Sequence, residues 1–209
     1  MKGLMMNFLK TCVALLMAVS LPAVANDVAP DALIKQVSDE VLQIVRSDKA
    51  IQAGDMKRIS EVVDAKMLPH VNFTRMTSLA VGRDWRNATP EQRDALAAEF
   101  KTLLIRSYAG ALSNYRDQQI VFKPFKMKAD ETDVLVRTEV RQPAAQPVGI
   151  DYNVMKTPEG WKIYDVAVAG VSLVTNYREE FGRDIRANGI DGLIKSLHEK
   201  NRSAEQPKK

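Results

Sequence analysis

The sequence predicts an α+β domain, in which helices pack on an antiparallel sheet of about four strands. Three observations lead to this prediction. Apolar residues recur at helical spacing up to about residue 114, they alternate with polar residues from about residue 120 to residue 168, and helical spacing returns after Gly170. Helices that come before and after one antiparallel meander are segregated from the strands along the chain, and this order is typical of the α+β class.

The first 25 residues have the pattern of an export signal. Lys2 and Lys10 form a basic start, and residues 12–21 form an apolar core that is too short to span a bilayer. Small residues then precede an expected cleavage after Ala25. A membrane anchor is the alternative, but a charged, polar segment follows at once and no second apolar span occurs. We therefore expect the protein to be exported.

The mature chain is expected to form one domain over residues 26–200, followed by a flexible polar tail over residues 201–209. Cys12 is the only cysteine and lies inside the export signal, so packing rather than disulfides must stabilise the domain. The whole chain has a net charge of +4, and the signal accounts for two of these charges. The small charge that is left does not indicate a nucleic-acid-binding protein.

Three helices are predicted before residue 82. Residues 31–51 carry apolar side chains at helical spacing. Asp55 is placed to cap a second helix that ends at Pro69, and Asn72 is placed to cap a short third helix that ends at Gly82. Each helix would present one apolar side to the rest of the domain.

The longest predicted helix begins at the clearest start signal in the sequence. Thr89 and Gln92 form a capping box around Pro90, which occupies the first helical position. The helix should run to about Asn114. Its apolar residues form a broad stripe, which predicts that the helix faces a large apolar surface.

Four strands and two further helices are predicted in the second half of the chain. The last strand turns through Gly170 into an amphipathic helix, which stops at Asn188 and Gly189 before a short helix that begins at Asp191. Alternation with a period of two places the strands at residues 120–122, 134–140, 148–154 and 161–168.

The residues do not favour an enzyme. His70 and His198 lack the neighbours of a metal motif, and the chain has neither a nucleophile elbow nor a phosphate-binding loop, so no metal site and no cofactor are expected. One enzymatic alternative stays open, because a helix-backed curved sheet often encloses a cone-shaped cavity in which Asp165 and Tyr152 could transfer protons. Asp151 points to the face opposite Tyr152 and cannot line the same cavity with it.

The apolar surfaces of the predicted sheet and long helix are rich in Val, Met and Ala and poor in large aromatic residues. Flexible and branched apolar side chains make adaptable walls, so this composition favours an internal cavity for an apolar ligand. Direct packing of the same residues into an ordinary core is the alternative for each of them. A chaperone or adaptor that binds protein partners through an apolar surface is a further alternative function.

Four segments carry a resemblance to a known family: residues 67–71 (MLPHV), 88–93 (ATPEQR), 164–175 (YDVAVAGVSLVT) and 189–193 (GIDGL). In their order and spacing behind an export signal, the chain resembles the MlaC family, also called the toluene-tolerance auxiliary component, over essentially the whole mature chain. Members are periplasmic phospholipid-binding proteins. His70 departs from the pattern, because relatives often carry tyrosine there.

The resemblance implies a fold similar to nuclear transport factor 2 (NTF2-like), with a lipid pocket between the helices and a curved sheet. It implies a carrier without enzymatic activity, whose cargo is a diacyl phospholipid. Its partners would be an outer-membrane lipoprotein–porin complex (MlaA-like) and an inner-membrane ABC transporter complex with an MCE-domain protein (MlaD-like). Such a carrier serves the lipid asymmetry of the outer membrane and binds no nucleic acid.

Candidate lipid-binding residues follow from the apolar faces and from the resemblance. Arg137, Tyr152 and Arg178 are candidates for contact with the head group. Val171→Glu is expected to abolish lipid retention in a protein that still folds, because a carboxylate would line the cavity. The residues expected to line the pocket are Phe73, Met76, Leu79, Phe100, Leu103, Leu104, Tyr108, Val136, Ile150, Tyr152, Val168, Val171 and Val174.

Overall fold

The computed structural model describes residues 28–143 and 145–203, and in these ranges the chain forms six α-helices and one antiparallel sheet of five strands. The predicted α+β class is confirmed, because helices precede and follow a single meander. The expected export signal over residues 1–25 lies outside the described residues. No helix in the described ranges is both long enough and apolar enough to cross a bilayer.

The first predicted helix is two helices in the structure. Helix α1 spans Pro30–Ser47 and α2 spans Lys49–Gln52. Asp48 interrupts them, because its backbone is extended and its carboxylate accepts hydrogen bonds from the first backbone N–H groups of α2. Helix α3 spans Met56–Val62, and Asp55 caps it as predicted.

A change of helical geometry, rather than a simple end, connects α3 to the next helix. A π-helical turn over Val63–Met67 is followed by a 3₁₀ turn over Leu68–His70. Asn72 then caps α4, which spans Phe73–Val81, by accepting a hydrogen bond from the backbone N–H of Arg75. The predicted cap is confirmed, and π-helical segments often occur at functional sites.

The strongest start signal in the sequence forms as predicted. After a 3₁₀ segment over Gly82–Asn87, helix α5 spans Pro90–Ser113. The Thr89 hydroxyl accepts from the Gln92 backbone N–H at 3.2 Å, and the Gln92 side chain accepts from the Thr89 N–H at 3.0 Å. This reciprocal pair satisfies two backbone donors at the start of the helix.

The sheet has the strand order β1-β2-β3-β4-β5, and every neighbouring pair is antiparallel. The fifth strand is a short addition to the four that the alternation predicted. It forms because Ala169 (φ 51°) and Gly170 (φ 80°) make a tight turn that brings Val171 opposite Val168. The strands are β1 (Gln119–Phe122), β2 (Asp133–Arg141), β3 (Val148–Thr157), β4 (Gly160–Val168) and β5 (Val171–Ser172).

Helix α6 spans Leu173–Ser203 and is kinked at Gly189, where the backbone has φ 71° and ψ −177°. The break at Gly189 confirms the prediction, but the expected start of a flexible tail at Asn201 does not hold. Asn201 is buried, and its side-chain amide donates to the backbone oxygen of Glu99 (3.0 Å) and to Glu99 Oε2 (2.7 Å). These bonds hold the end of α6 against α5, and residues 204–209 lie outside the described part.

Buried apolar side chains form three clusters, and the candidate site lies where they meet. One cluster joins α4, α5 and α6 around Phe100 and Phe181. A second joins α1 to the sheet around Ile34 and Trp161. A third joins α1, α2 and α3 to the second half of α5, around Ile51.

An apolar cavity as the candidate functional site

A cavity of about 350 Å³ lies between the helices and the sheet. Helices α1, α3, α4 and α5 form one side, and β1, β3, β4 and the first residue of α6 form the other. The side chains that line it are almost all apolar: Ile34, Val37, Ser38, Val41, Leu42, Ile59, Val63, Met67, Leu68, Val71, Phe73, Met76, Lys101, Leu104, Ile105, Tyr108, Ala111, Leu112, Ile120, Ile150, Tyr152, Ile163, Val166, Val168 and Leu173.

Seven of the thirteen residues expected to line a lipid pocket lie in the lining of this cavity. They come from α4, α5, β3 and β4, so the structure brings together residues that are far apart in the sequence. Their contact with lipid stays a prediction. The seven are Phe73, Met76, Leu104, Tyr108, Ile150, Tyr152 and Val168.

The other six lie elsewhere. Phe100, Leu103 and Val174 are buried in the cluster between α4, α5 and α6, and Leu79 is packed against that cluster. Val136 is covered by α1 and belongs to the cluster that joins α1 to the sheet. Val171 is 58% exposed on the short β5. These six residues therefore do not line the cavity, although the sequence predicted that they would. An apolar stripe shows which residues face inward, but it does not show which neighbour covers each of them.

The two candidate head-group arginines do not line the cavity. Arg137 is exposed and lies opposite Asp151 in the sheet, and its Nε is 3.9 Å from Asp151 Oδ2. Arg178 donates from Nε to the backbone oxygen of Leu79 at 2.8 Å. Arg178 lies instead in a second groove, on the far side of α4.

The sequence analysis missed the contribution of α1, α3 and the π-helical turn to the cavity wall. Val37 and Val41 of α1, Val63 and Met67 of the π-helical turn, and Ile59 of α3 all line the cavity. The signal that could have identified them is the apolar spacing of α1 and α3, which predicted only that each helix presents one apolar side to the rest of the domain. Sequence spacing shows that these residues face inward, but it does not show that the space in front of them is unfilled.

Few polar groups interrupt the apolar wall. Tyr152 hydrogen-bonds to the side chains of Ser38 and Thr138, and the Thr138 hydroxyl donates to the backbone oxygen of Ile150 at 2.9 Å. Burial raises the pKa of Tyr152, so its hydroxyl is neutral at physiological pH. Lys101 Nζ forms an ion pair with Asp64 Oδ1 at 3.2 Å. The side chains of Ser38, Tyr152 and Lys101 therefore already have partners within the protein.

The solvent-exposed part of the lining lies on the second half of α5, and we infer that the cavity opens there. Tyr108 and Ala111 both line the cavity and are exposed to solvent, with 38% of Tyr108 accessible. Val171 is exposed on the strand pair that contains the lining residue Val168. Exposed apolar side chains beside an apolar cavity are typical of a site where an apolar ligand enters.

The acid–base pair of the enzymatic alternative is not assembled in this cavity. Tyr152 lines it, but Asp165 does not. The Asp165 carboxylate accepts from the Ser172 hydroxyl at 2.6 Å and from the Val174 backbone N–H at 3.1 Å, so it caps the start of α6. Among residues 28–143 and 145–203, no group of three or more His, Cys, Asp or Glu side chains is placed to hold a metal ion.

The comparisons with known proteins agree on one family. The family described as "MlaC protein" matches residues 35–199 of this chain. The Haemophilus influenzae "Intermembrane phospholipid transport system binding protein MlaC" is 26% identical over 184 residues, which cover 87% of this chain and 85% of the relative. The Pseudomonas putida "Toluene tolerance protein ttg2D" is 27% identical over 167 residues, covering 78% and 75% of the two chains.

A solved structure is also similar over most of the chain. It is a phospholipid-binding protein from Ralstonia solanacearum, in complex with a phospholipid. The two structures superpose with a TM-score of 0.81 at 40% sequence identity, over 84% of this chain and 98% of the other. The Haemophilus influenzae relative is named for phospholipid transport, and the Ralstonia solanacearum protein was solved with a phospholipid bound.

Proposed function

The chain belongs to the MlaC family, and we propose on this premise that it is a carrier that binds a phospholipid by burying its acyl chains in the apolar cavity. The observation that carries the proposal is the cavity itself, about 350 Å³ in volume, apolar in its walls, and bordered at its opening by exposed Tyr108. The phospholipid bound to the Ralstonia solanacearum relative supports the same cargo.

The physical need for such a carrier comes from the acyl chains. Each buried methylene contributes about 0.8 kcal/mol, so two chains of about sixteen carbons correspond to roughly 20–25 kcal/mol of transfer free energy. A phospholipid that left a membrane without a carrier would expose this apolar surface to water. A cavity that covers a part of the chains removes the matching part of that cost, and burial without specific hydrogen bonds makes few demands on chain length.

The carrier would act between two membranes. We propose that it works in the periplasm, after removal of the export signal expected over residues 1–25, and serves the lipid asymmetry of the outer membrane. It would exchange phospholipid with an outer-membrane lipoprotein–porin complex (MlaA-like) and with an inner-membrane MCE-domain ABC transporter complex (MlaD-like). The similarity to the Haemophilus influenzae protein, which is named as an intermembrane phospholipid transport binding protein, supports this proposal.

The flexible side chains of the wall suit a variable cargo. Met67 and Met76 line the cavity, and unbranched thioether side chains adapt to the shape of what they contact. The head group would stay near the opening beside Tyr108, where water can solvate it. Arg137 and Arg178 lie away from the lining, so their predicted role at the head group has no support from the geometry of the cavity.

Extraction of the purified protein tests the proposal. The full chain, with its export signal, would be produced in a Gram-negative host. The exported protein would be purified without detergent and extracted with organic solvent for mass spectrometry. We expect diacyl phospholipid at about one molecule per chain. A protein that carries no phospholipid, and that takes up none from vesicles, would contradict the proposal. Turnover of a small substrate by a lipid-free protein would favour the enzymatic alternative, and suppression of aggregation would favour the chaperone.

A further inference from the structure

A second groove, of about 530 Å³, lies on the side of α4 that faces away from the apolar cavity. Its walls come from α4, the 3₁₀ segment Gly82–Asn87 and α6. Arginines dominate its charge, since the lining contains one acidic residue, Asp84, against five guanidinium groups. The five are Arg75, Arg83, Arg86, Arg178 and Arg186, and together we call them the arginine groove.

None of these five guanidinium groups forms an ion pair with a carboxylate in the part of the chain that the structure describes. Arg178 also supports the fold, because it donates a hydrogen bond to the backbone oxygen of Leu79. Like charges that converge on one concave surface repel one another and raise the local potential. Such a surface is stabilised when an anionic group enters it.

The groove is held in shape by contacts beneath it. The Arg93 side chain of α5 donates to the backbone oxygens of Trp85 (3.2 Å) and Arg86 (3.4 Å), and its guanidinium lies 5.5 Å from the centre of the Trp85 ring. Gly82 makes the turn from α4 into the 3₁₀ segment with φ 75°. The arginines therefore project from a backbone that is already fixed, which lowers the ordering cost of binding.

The walls indicate the class of ligand. Leu79, Val81 and Trp85 add apolar surface between the arginines. All the basic residues of the lining are arginine and none is lysine, and the planar guanidinium group binds carboxylates in a bidentate geometry that the ammonium group does not reproduce. We propose that the arginine groove binds an acidic segment of a partner protein, with carboxylates on the arginines and an apolar side chain against Trp85.

A concave groove fits a projecting segment better than a flat bilayer surface. It also lies away from the exposed Tyr108 of the cavity lining, since Tyr108 and Arg93, which contacts Trp85 of the groove, are separated by about 22 Å along the axis of α5. A partner held in the groove would therefore leave the opening free. For a carrier, such a contact would bring the opening to a membrane complex while lipid transfer takes place elsewhere on the surface.

Nuclear magnetic resonance can test this with a defined probe. The chain has two tryptophans, and Trp85 lies in the groove whereas Trp161 is buried in the sheet. The probe is a peptide with four glutamates around one phenylalanine, and the matched control peptide carries glutamine in place of each glutamate. We expect the glutamate peptide to shift the indole resonance of Trp85 and the amides of residues 75–86 and 178–186, and to leave Trp161 unchanged.

A matched pair of variants distinguishes peptide binding at the arginine groove from a general effect of positive surface charge. In the first, Arg75, Arg83 and Arg186, all exposed and without ion pairs, are each replaced by glutamine. In the control, three exposed lysines elsewhere, Lys49, Lys57 and Lys126, are replaced by glutamine. We expect the arginine variant to lose about tenfold or more in peptide affinity, because charge-assisted hydrogen bonds are lost, and the lysine variant to bind as the wild type does.

Several results would overturn the proposal. These are equal shifts with the glutamine peptide, equal losses in both triple variants, or shifts confined to the cavity opening. Binding of inorganic phosphate or of anionic phosphatidylglycerol vesicles with no response to the glutamate peptide would assign the groove to small anions or to a membrane surface. Phospholipid content, measured on the same samples, should be unchanged in both variants. The proposal for the groove can therefore fail independently of the proposed lipid cargo.

Discussion

The two halves of α5 differ in what they face, although both are apolar. In the first half, Phe100 is fully buried, with its ring centre 5.0 Å from that of Tyr177 and 5.2 Å from that of Phe181 on α6. In the second half, Leu104 and Tyr108 face the cavity. One helix therefore packs fully into a core at one end, whereas at the other end it combines packing with a part of the cavity wall.

The difference comes from the elements opposite each half. Helix α6 supplies two aromatic rings that fill the space beside Phe100. The wall across from the second half is made largely of smaller branched side chains, such as Val37 and Val41 of α1 and Val168 of β4, which leave the space unfilled. An unfilled apolar space forgoes dispersion contacts, so such a cavity is normally unfavourable unless a ligand occupies it. The comparison teaches that size complementarity decides which apolar residues become a binding site.

The largest expected effect comes from filling the cavity. Leu104→Trp places a larger side chain in the cavity, and we expect bound phospholipid to fall to background, as measured by mass spectrometry of an organic extract. Leu104→Met, which conserves volume, should keep its lipid. Lipid should also raise the melting temperature of stripped wild-type protein and leave that of Leu104→Trp unchanged. Normal lipid content in Leu104→Trp would contradict the assignment of the cavity.

The packed half should respond in stability rather than in lipid content. Phe100→Ala removes a fully buried ring, and we expect the free energy of unfolding in urea to fall by about 3–5 kcal/mol. Tyr108→Ala removes a partly exposed ring that faces the cavity, and the loss should be about 1 kcal/mol or less. Equal losses in the two variants would mean that the two halves of α5 do not differ as described.

The exposed turn between β4 and β5 provides a third comparison. The sequence predicts that Val171→Glu abolishes lipid retention, but Val171 lies on an exposed strand turn outside the lining. We expect lipid retention to fall rather than to be abolished, because the carboxylate would stand beside Val168 of the cavity wall. The residue is 58% exposed, so the free energy of unfolding should change by about 0.5 kcal/mol or less. Met127→Glu, a partly exposed apolar residue outside the lining, is the control and should retain lipid. Full lipid retention by Val171→Glu would exclude the site from the path of the lipid.

The smallest expected effect concerns the turn that borders the cavity wall. Burial lowers the pKa of His70, and the positive charge of Lys162 lowers it further. The His70 imidazole therefore takes up a proton less readily in the folded protein than in the unfolded chain. The contribution of neutral His70 to stability is present above about pH 6.5 and is lost as the pH falls below it. Between about pH 7.5 and pH 5.5, the free energy of unfolding in urea should fall more for the wild type than for His70→Tyr. The same pH dependence in both proteins would exclude His70 as its source.

Local signals were the most predictable part of the fold. Asp55, Asn72 and the Thr89–Gln92 pair all act as helix caps, as the sequence predicted, because a cap depends on side chains and backbone groups only a few residues apart. The break at Gly189 was predictable for the same reason. The interruption at Asp48 was missed, although its capping side chain was visible, because the apolar spacing runs through both α1 and α2.

The candidate site was predictable only in part. Residues such as Met76, Ile150 and Val168 were identified from the apolar faces on which they lie, and they line the cavity. Phe100 and Leu103 lie on the same stripe of α5 but are covered by other helices. The burial of Asn201 against Glu99 was also missed, because these partners are about a hundred residues apart.

The sequence by itself determined the α+β order of elements, the positions of the caps and turns, and the inward side of each helix and strand. These features depend on periodicity and on interactions within a few residues. The tertiary structure alone decided which inward side chains meet rings that fill the space and which face an opening, and it also brought five arginines to one groove. The physical reason is that a cavity is defined by the volume between distant segments, and no single segment encodes that volume.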